Sequence, residues 1–208
     1  MPEIVIPAGI RGVVFDVGET LVDESRTWTS LARQAGVTPF TLMGLLGALA
    51  ARDEDHRGVW DLVGVERPVE PSLIDHVDLY PDALDCLRAV SDAGLVVGIA
   101  GNQPRGVEVQ LRDVGFDADF IASSAAWGVA KPSADFFSRI ILDAQLDARE
   151  ILYVGDRLDN DILPARRAGM RTAFIRRGPW GYLHAQRAEV EVADVRIESL
   201  AELTTAFT

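Results

Sequence analysis

Lysine is nearly missing from this 208-residue chain: of 20 basic residues, 19 are arginine and only Lys131 is lysine. Cysteine is as scarce. Cys86 stands alone, so no internal disulfide can form and nothing points to an oxidising compartment. The three histidines, His56, His76 and His184, show no metal-ligand spacing. No apolar run approaches the roughly 20 residues that span a bilayer. The opening MPEIVIPAGIRG lacks the basic stretch and long apolar run of a signal peptide. Positive charge is also short: a formal net charge of −12 argues against nucleic acid, which needs a basic surface. The chain is 48% hydrophobic and 25% charged, which excludes disorder as its main organisation. These absences predict a soluble, acidic, cytoplasmic protein with neither a nucleic-acid nor a membrane partner.

What is present is an alternation of elements. Short apolar runs end in turn residues: Val13–Phe15 at Asp16 and Gly18, Leu95–Ala100 at Gly101-Asn102, Phe120–Ala122 at Ser123-Ser124, Ile151–Val154 at Gly155-Asp156, and Thr172–Ile175 at Arg176-Arg177-Gly178. A sixth candidate is Val192–Ile197, before a helical tail at Glu198–Leu203. Runs without alternation suit strands covered on both faces, as in a parallel sheet. Between them, Ala83, Cys86, Leu87 and Val90 fall at helical spacing. Phe137, Ile140, Ile141 and Ala144 do so behind Ser133, a helix cap. The pattern predicts a doubly wound α/β sheet. Residues 23–80 break it. They are rich in Leu and Ala, read as helical, and predict an insertion between the first and second strands.

Ligands of an open α/β sheet bind at the carboxyl ends of its strands. There the sequence delivers Asp16, Gly101-Asn102, Lys131 after the third strand, Asp156, and Asp161 five residues on. Three carboxylates and one lysine at one rim suit Mg²⁺, which takes hard oxygen ligands and keeps several waters. The lysine would balance the acids or a phosphoryl oxygen.

These residues resemble the motifs of the haloacid dehalogenase (HAD) superfamily. Phe15-Asp16-Val17-Gly18-Glu19-Thr20-Leu21 is similar to its first motif, Ala130-Lys131-Pro132 to its third, and Gly155-Asp156 through Asp161 to its fourth. Leu95 to Asn102 sits where the second belongs. The resemblance implies a Rossmann-like core over residues 1–22 and 81–208, with a small helical cap over 23–80. It also implies that Asp16 is the nucleophile and forms an aspartyl-phosphate. Mg²⁺ would be held by Asp16, the Gly18 backbone carbonyl, Asp156 and Asp161. Lys131, Gly101 and Asn102 would face a small phosphorylated substrate.

Two departures stand out. The superfamily's phosphatases carry an acid–base Asp two residues after the nucleophile, where this chain has Gly18. The second motif usually ends in Ser or Thr, where this chain has Gly101. Losing a general acid costs about 10²–10⁴ in rate, so the expectation is low or specialised activity, restored by Gly18→Asp. Glu19 is a weaker candidate for the missing acid, since it lies one residue late. Three readings follow: a Mg²⁺-dependent phosphatase, a 2-haloacid dehalogenase using Asp16 on carbon, and a phospho-ligand-binding protein without turnover.

Overall fold

The computed structural model describes residues 4–69 and 73–207; the parts of the expected core and insertion at 1–3, 70–72 and 208 lie outside the described residues. In chain order the elements are β1 (Gly12–Phe15), α1 (Ser25–Gln34), α2 (Pro39–Ala51), α3 (Val59–Val63), α4 (Ala83–Asp92), β2 (Val96–Gly101), α5 (Val107–Asp113), β3 (Phe120–Ser123), α6 (Ser124–Trp127), α7 (Ala134–Ala144), β4 (Ile151–Gly155), α8 (Leu163–Arg167), β5 (Arg171–Ile175), α9 (Gly178–His184), β6 (Val195–Ile197) and α10 (Leu200–Phe207). The strands form one parallel sheet in the order β3-β2-β1-β4-β5-β6. The chain winds outward from β1 to β3, then returns to place β4 on the other side of β1. The order therefore reverses between β1 and β4, where an open α/β sheet forms its crevice.

The side-chain period of two explains the continuous apolar runs. Val13, Phe15, Val97, Ile99, Leu152 and Val154 pack on one face against α4, α5 and α10. Val14, Ala100, Ile151 and Tyr153 pack on the other, against α7 and α8. Ser133 caps α7 as its sequence predicts, its hydroxyl accepting the Asp135 N–H at 3.3 Å. The last strand is shorter than expected. It begins at Val195, because Val192 closes a 3₁₀ turn, Ala188–Val192, in which Val190 packs with Phe174, Leu158 and Ile162 in a separate apolar cluster.

Residues 23–80 are helical among the described residues and contain no named strand. Leu31 and Ala32 of α1, Leu42, Leu46 and Leu49 of α2, and Val59 and Trp60 of α3 enclose their own core. Trp180 of α9 reaches into it from the sheet layer. No single helix among the described residues is long and apolar enough to cross a membrane.

Candidate active site

Asp16 follows β1 and Asp156 follows β4, so both stand at the crevice between these neighbouring strands. Lys131 comes from the segment between α6 and α7. Its Nζ lies 2.6 Å from Asp16 Oδ1 and 2.6 Å from Asp161 Oδ1. All four groups are buried, with 7%, 2%, 0% and 5% of Asp16, Asp156, Asp161 and Lys131 exposed. Carboxylate oxygens of the three acids lie within 4.8 Å of one another. Burial opposes charge on Lys131, but Asp16 and Asp161 outweigh it and raise its pKa. Among the described residues Asp156 makes no such ion pair, and only the nearby Arg157 charge opposes the rise. Burial, then Asp161 and Asp16, hold its pKa well above the usual carboxylate range.

Glycines make this crowding possible. A Cβ on Gly101 would stand 2.7 Å from Asp16 Oδ1 and 3.1 Å from Val17 Cγ2. A Ser or Thr there, as in the second motif, would displace the carboxylate. A Cβ on Gly155 would meet Asp161 Cγ at 2.6 Å. The Asn102 side chain clamps the Lys131 backbone, accepting its N–H at 2.8 Å and donating to its carbonyl at 3.0 Å. Asn102 also lines the cleft beside Asp16 and Lys131.

Glu19 adopts a left-handed backbone, φ 53°, in the loop after β1. Its carboxylate accepts the Tyr80 hydroxyl at 2.6 Å and the Glu24 N–H at 3.0 Å, so it ties the loop to the chain entering α4. Glu24, just before α1, comes to the site unannounced by any motif. A Cβ on Gly18 would lie 2.6 Å from its Oε1, so a side chain at 18 requires the Glu24 carboxyl to move aside. Burial and the neighbouring Glu19 push its carboxyl up to about 7. Asp16, Glu19, Glu24, Lys131, Asp156, Trp28, His56 and Trp180 line one cleft of about 220 Å³.

A family model for haloacid dehalogenase-like hydrolases matches residues 10–169, over three quarters of the chain and every residue of the acidic cluster. The chain belongs to this family. The hydrolase is 33% identical over 128 residues to a glyceraldehyde 3-phosphate phosphatase of Methanocaldococcus jannaschii, covering 60% of this chain and 54% of that one. It is 28% identical to the enzyme of the same name from Methanopyrus kandleri, over 93% of this chain and 95% of that one. Among solved structures, an L-2-haloacid dehalogenase of Xanthobacter autotrophicus with covalently bound chloropropionic acid superposes with a TM-score of 0.69 at 17% identity, covering 94% and 97% of the two chains. That likeness shows the shared fold.

Several residues of the hydrolase's site escape a reading by motif. Arg177 is buried, pairs with Asp82, donates to the Thr20 carbonyl at 2.8 Å and stacks 4.1 Å from the Tyr80 ring centre. It braces the loop after β1 from below. His184, the last residue of α9, is 1% exposed, and its Nδ1 accepts the Leu158 N–H at 3.0 Å. It thereby pins the π-helical turn Leu158–Ile162 that carries Asp161. Arg157 lies 4.7 Å over the Trp180 ring, at the cleft wall.

Proposed function

We propose that this hydrolase is a Mg²⁺-dependent phosphatase of small phosphorylated metabolites, with Asp16 as its nucleophile. One observation carries the reading: the only lysine of the chain is buried 2.6 Å from Asp16, between it and Asp161, at the floor of the cleft. A compact ammonium fits there, where a planar guanidinium would not. The phosphatase names of both relatives support the reaction class.

An Asp16 oxygen would attack phosphorus in line, the bond from phosphorus to the ester oxygen would break, and an aspartyl-phosphate would form. Water would then take the phosphoryl group from Asp16. Lys131 would hold the phosphoryl oxygens as the charge shifts. The donor set fits a hard divalent cation: three buried carboxyls face one ammonium, and a cation among them would favour the ionised form of Asp156 that burial and its neighbours oppose. Asp16, Asp156 and the Gly18 carbonyl would hold Mg²⁺, with Asp161 beside them. Bound there, the ion would polarise the phosphoryl oxygens. Residues 23–80 would act as the cap, since Thr27, Trp28 and Leu31 of α1 face the core residues across the cleft.

Phosphate release from para-nitrophenyl phosphate, measured with EDTA and then with excess Mg²⁺, tests this. Turnover is expected only with Mg²⁺, and Asp16→Asn is expected to abolish it. Metal-independent halide release from 2-chloropropionate, with no phosphate released from any ester, would replace this reading with a dehalogenase.

A further inference from the structure

We propose that Glu24 is the acid–base residue of this site, giving a proton to the departing ester oxygen and later taking one from the attacking water. The inference rests on the phosphatase reading and adds one catalytic residue to it. An alkyl phosphate loses an alkoxide, which departs from phosphorus only as a proton reaches it. A donor must therefore stand on the open side of the nucleophile.

Among the described residues four carboxyls line the cleft: Asp16, Glu19, Glu24 and Asp156. Asp16 makes the bond to phosphorus. Asp156 is 2% exposed at the end of β4, among the acids suited to the metal. Glu19 is bound by the Tyr80 hydroxyl and the Glu24 N–H, holding the loop together. Glu24 is left. Its carboxyl stands 2.6 Å from the point where a side chain on Gly18 would begin, two residues from the nucleophile. A neutral group steadies it, the Trp28 indole N–H donating to Oε2 at 3.3 Å. The bare α-carbon at 18 and the glutamate at 24 are thus one feature: any side chain at 18 would collide with the Glu24 carboxyl.

In the first step, an Asp16 oxygen bonds to phosphorus while the phosphorus–ester oxygen bond breaks and the Glu24 proton passes to that oxygen, releasing a neutral alcohol. In the second, the Glu24 carboxylate takes a proton from water as the water oxygen bonds to phosphorus. The bond to Asp16 breaks, inorganic phosphate leaves, and both carboxyls return to their starting forms. Because Glu24 directly precedes α1, the proton donor belongs to the helical insertion and not to the sheet.

Glu24→Gln keeps the size of the side chain and an acceptor for Trp28 but cannot transfer the proton. In the full-length protein with Mg²⁺, kcat/KM for glycerol phosphate is expected to fall about 10²–10⁴-fold. For para-nitrophenyl phosphate, whose phenolate needs no proton, kcat/KM should stay within about tenfold while steady-state turnover drops and a burst of nitrophenol appears. The double variant Gly18→Asp/Glu24→Ala, which returns a carboxyl to the same space from position 18, should regain alkyl-ester turnover, and Gly18→Asp alone should gain none. Equal losses on both esters, or no loss on either, would overturn the assignment. If the unaltered protein with Mg²⁺ releases phosphate from neither ester, the phosphatase reading itself falls, an outcome no Glu24 variant can mimic.

Discussion

Lys131 shows how one residue can be fixed from both ends. Its ammonium sits between Asp16 and Asp161, and its backbone N–H and carbonyl are both held by the Asn102 side chain. The charge is retained in a buried place only because two carboxylates face it. Asn102 therefore acts through the lysine. Asn102→Ala removes both backbone bonds, leaving an N–H unsatisfied in a part-buried site, at a cost of about 1–3 kcal/mol. A shift of about 1 Å at a catalytic group can cost 10²-fold in rate. Steady-state kinetics of Asn102→Ala should show kcat down by about that factor with KM little changed. Unaltered kcat, or a loss confined to KM, would mean that Asn102 serves substrate binding instead.

Elements differ in how much of them can be read from sequence, for a physical reason. β1, β2, β4 and β5 are covered on both faces, so Val13-Val14-Phe15 and Ile151–Val154 show as unbroken apolar runs, and β1, β2 and β4 each deliver an acid or glycine at their ends. Asp16 and Asp156 were legible because they follow those strand ends, and Lys131 and Asp161 because they stand in short local patterns, Ala130-Lys131-Pro132 and five residues after Asp156. Glu24 was not. It reaches the site through the path of the chain back across Gly18, a tertiary contact with no spacing rule. Arg177 was hidden among 19 arginines, and His184 among three histidines with no common spacing. His184 lends itself to measurement at the scale of its element. Burial pushes its pKa down to about 4 from an ordinary value near 6.5, as neutral Nδ1 accepts the Leu158 N–H. A depressed folded-state pKa makes its contribution complete above pH 6.5. Stability then drains away as pH falls toward 4, by roughly 3 kcal/mol over the window. Urea unfolding of the unaltered protein and His184→Gln between pH 7.5 and 4 should show this slope shrinking in the variant. Parallel pH profiles would show that the turn at Leu158–Ile162 does not depend on a neutral imidazole.

At the scale of the whole molecule, folding works against its own acid cluster. A chain of net charge −12 brings three carboxylates to one crevice, because the sheet order reverses between β1 and β4 and each strand ends in an aspartate. One lysine offsets part of the repulsion, and the rest remains as a cost to the folded state. A divalent cation bound only by the folded form would remove that cost and add its own binding energy. With free Mg²⁺ at 100 times its dissociation constant, the gain is about 2.7 kcal/mol. At about 2–4 °C per kcal/mol for a chain of this size, the melting temperature should rise by about 5–10 °C. Matching the ionic strength with NaCl separates site binding from screening of the overall negative charge. Asp156→Asn gives a contrast of sign. Without Mg²⁺ it should melt higher than the unaltered protein, since a carboxyl whose pKa is raised on folding costs stability at neutral pH and its amide does not, while Lys131 keeps both of its partners. With Mg²⁺ it should gain little, having lost a ligand. Thermal melts of both proteins at fixed ionic strength decide the matter. Equal Mg²⁺ shifts in the two would place the ion elsewhere on the acidic surface, and no shift in either would leave the cluster without a metal.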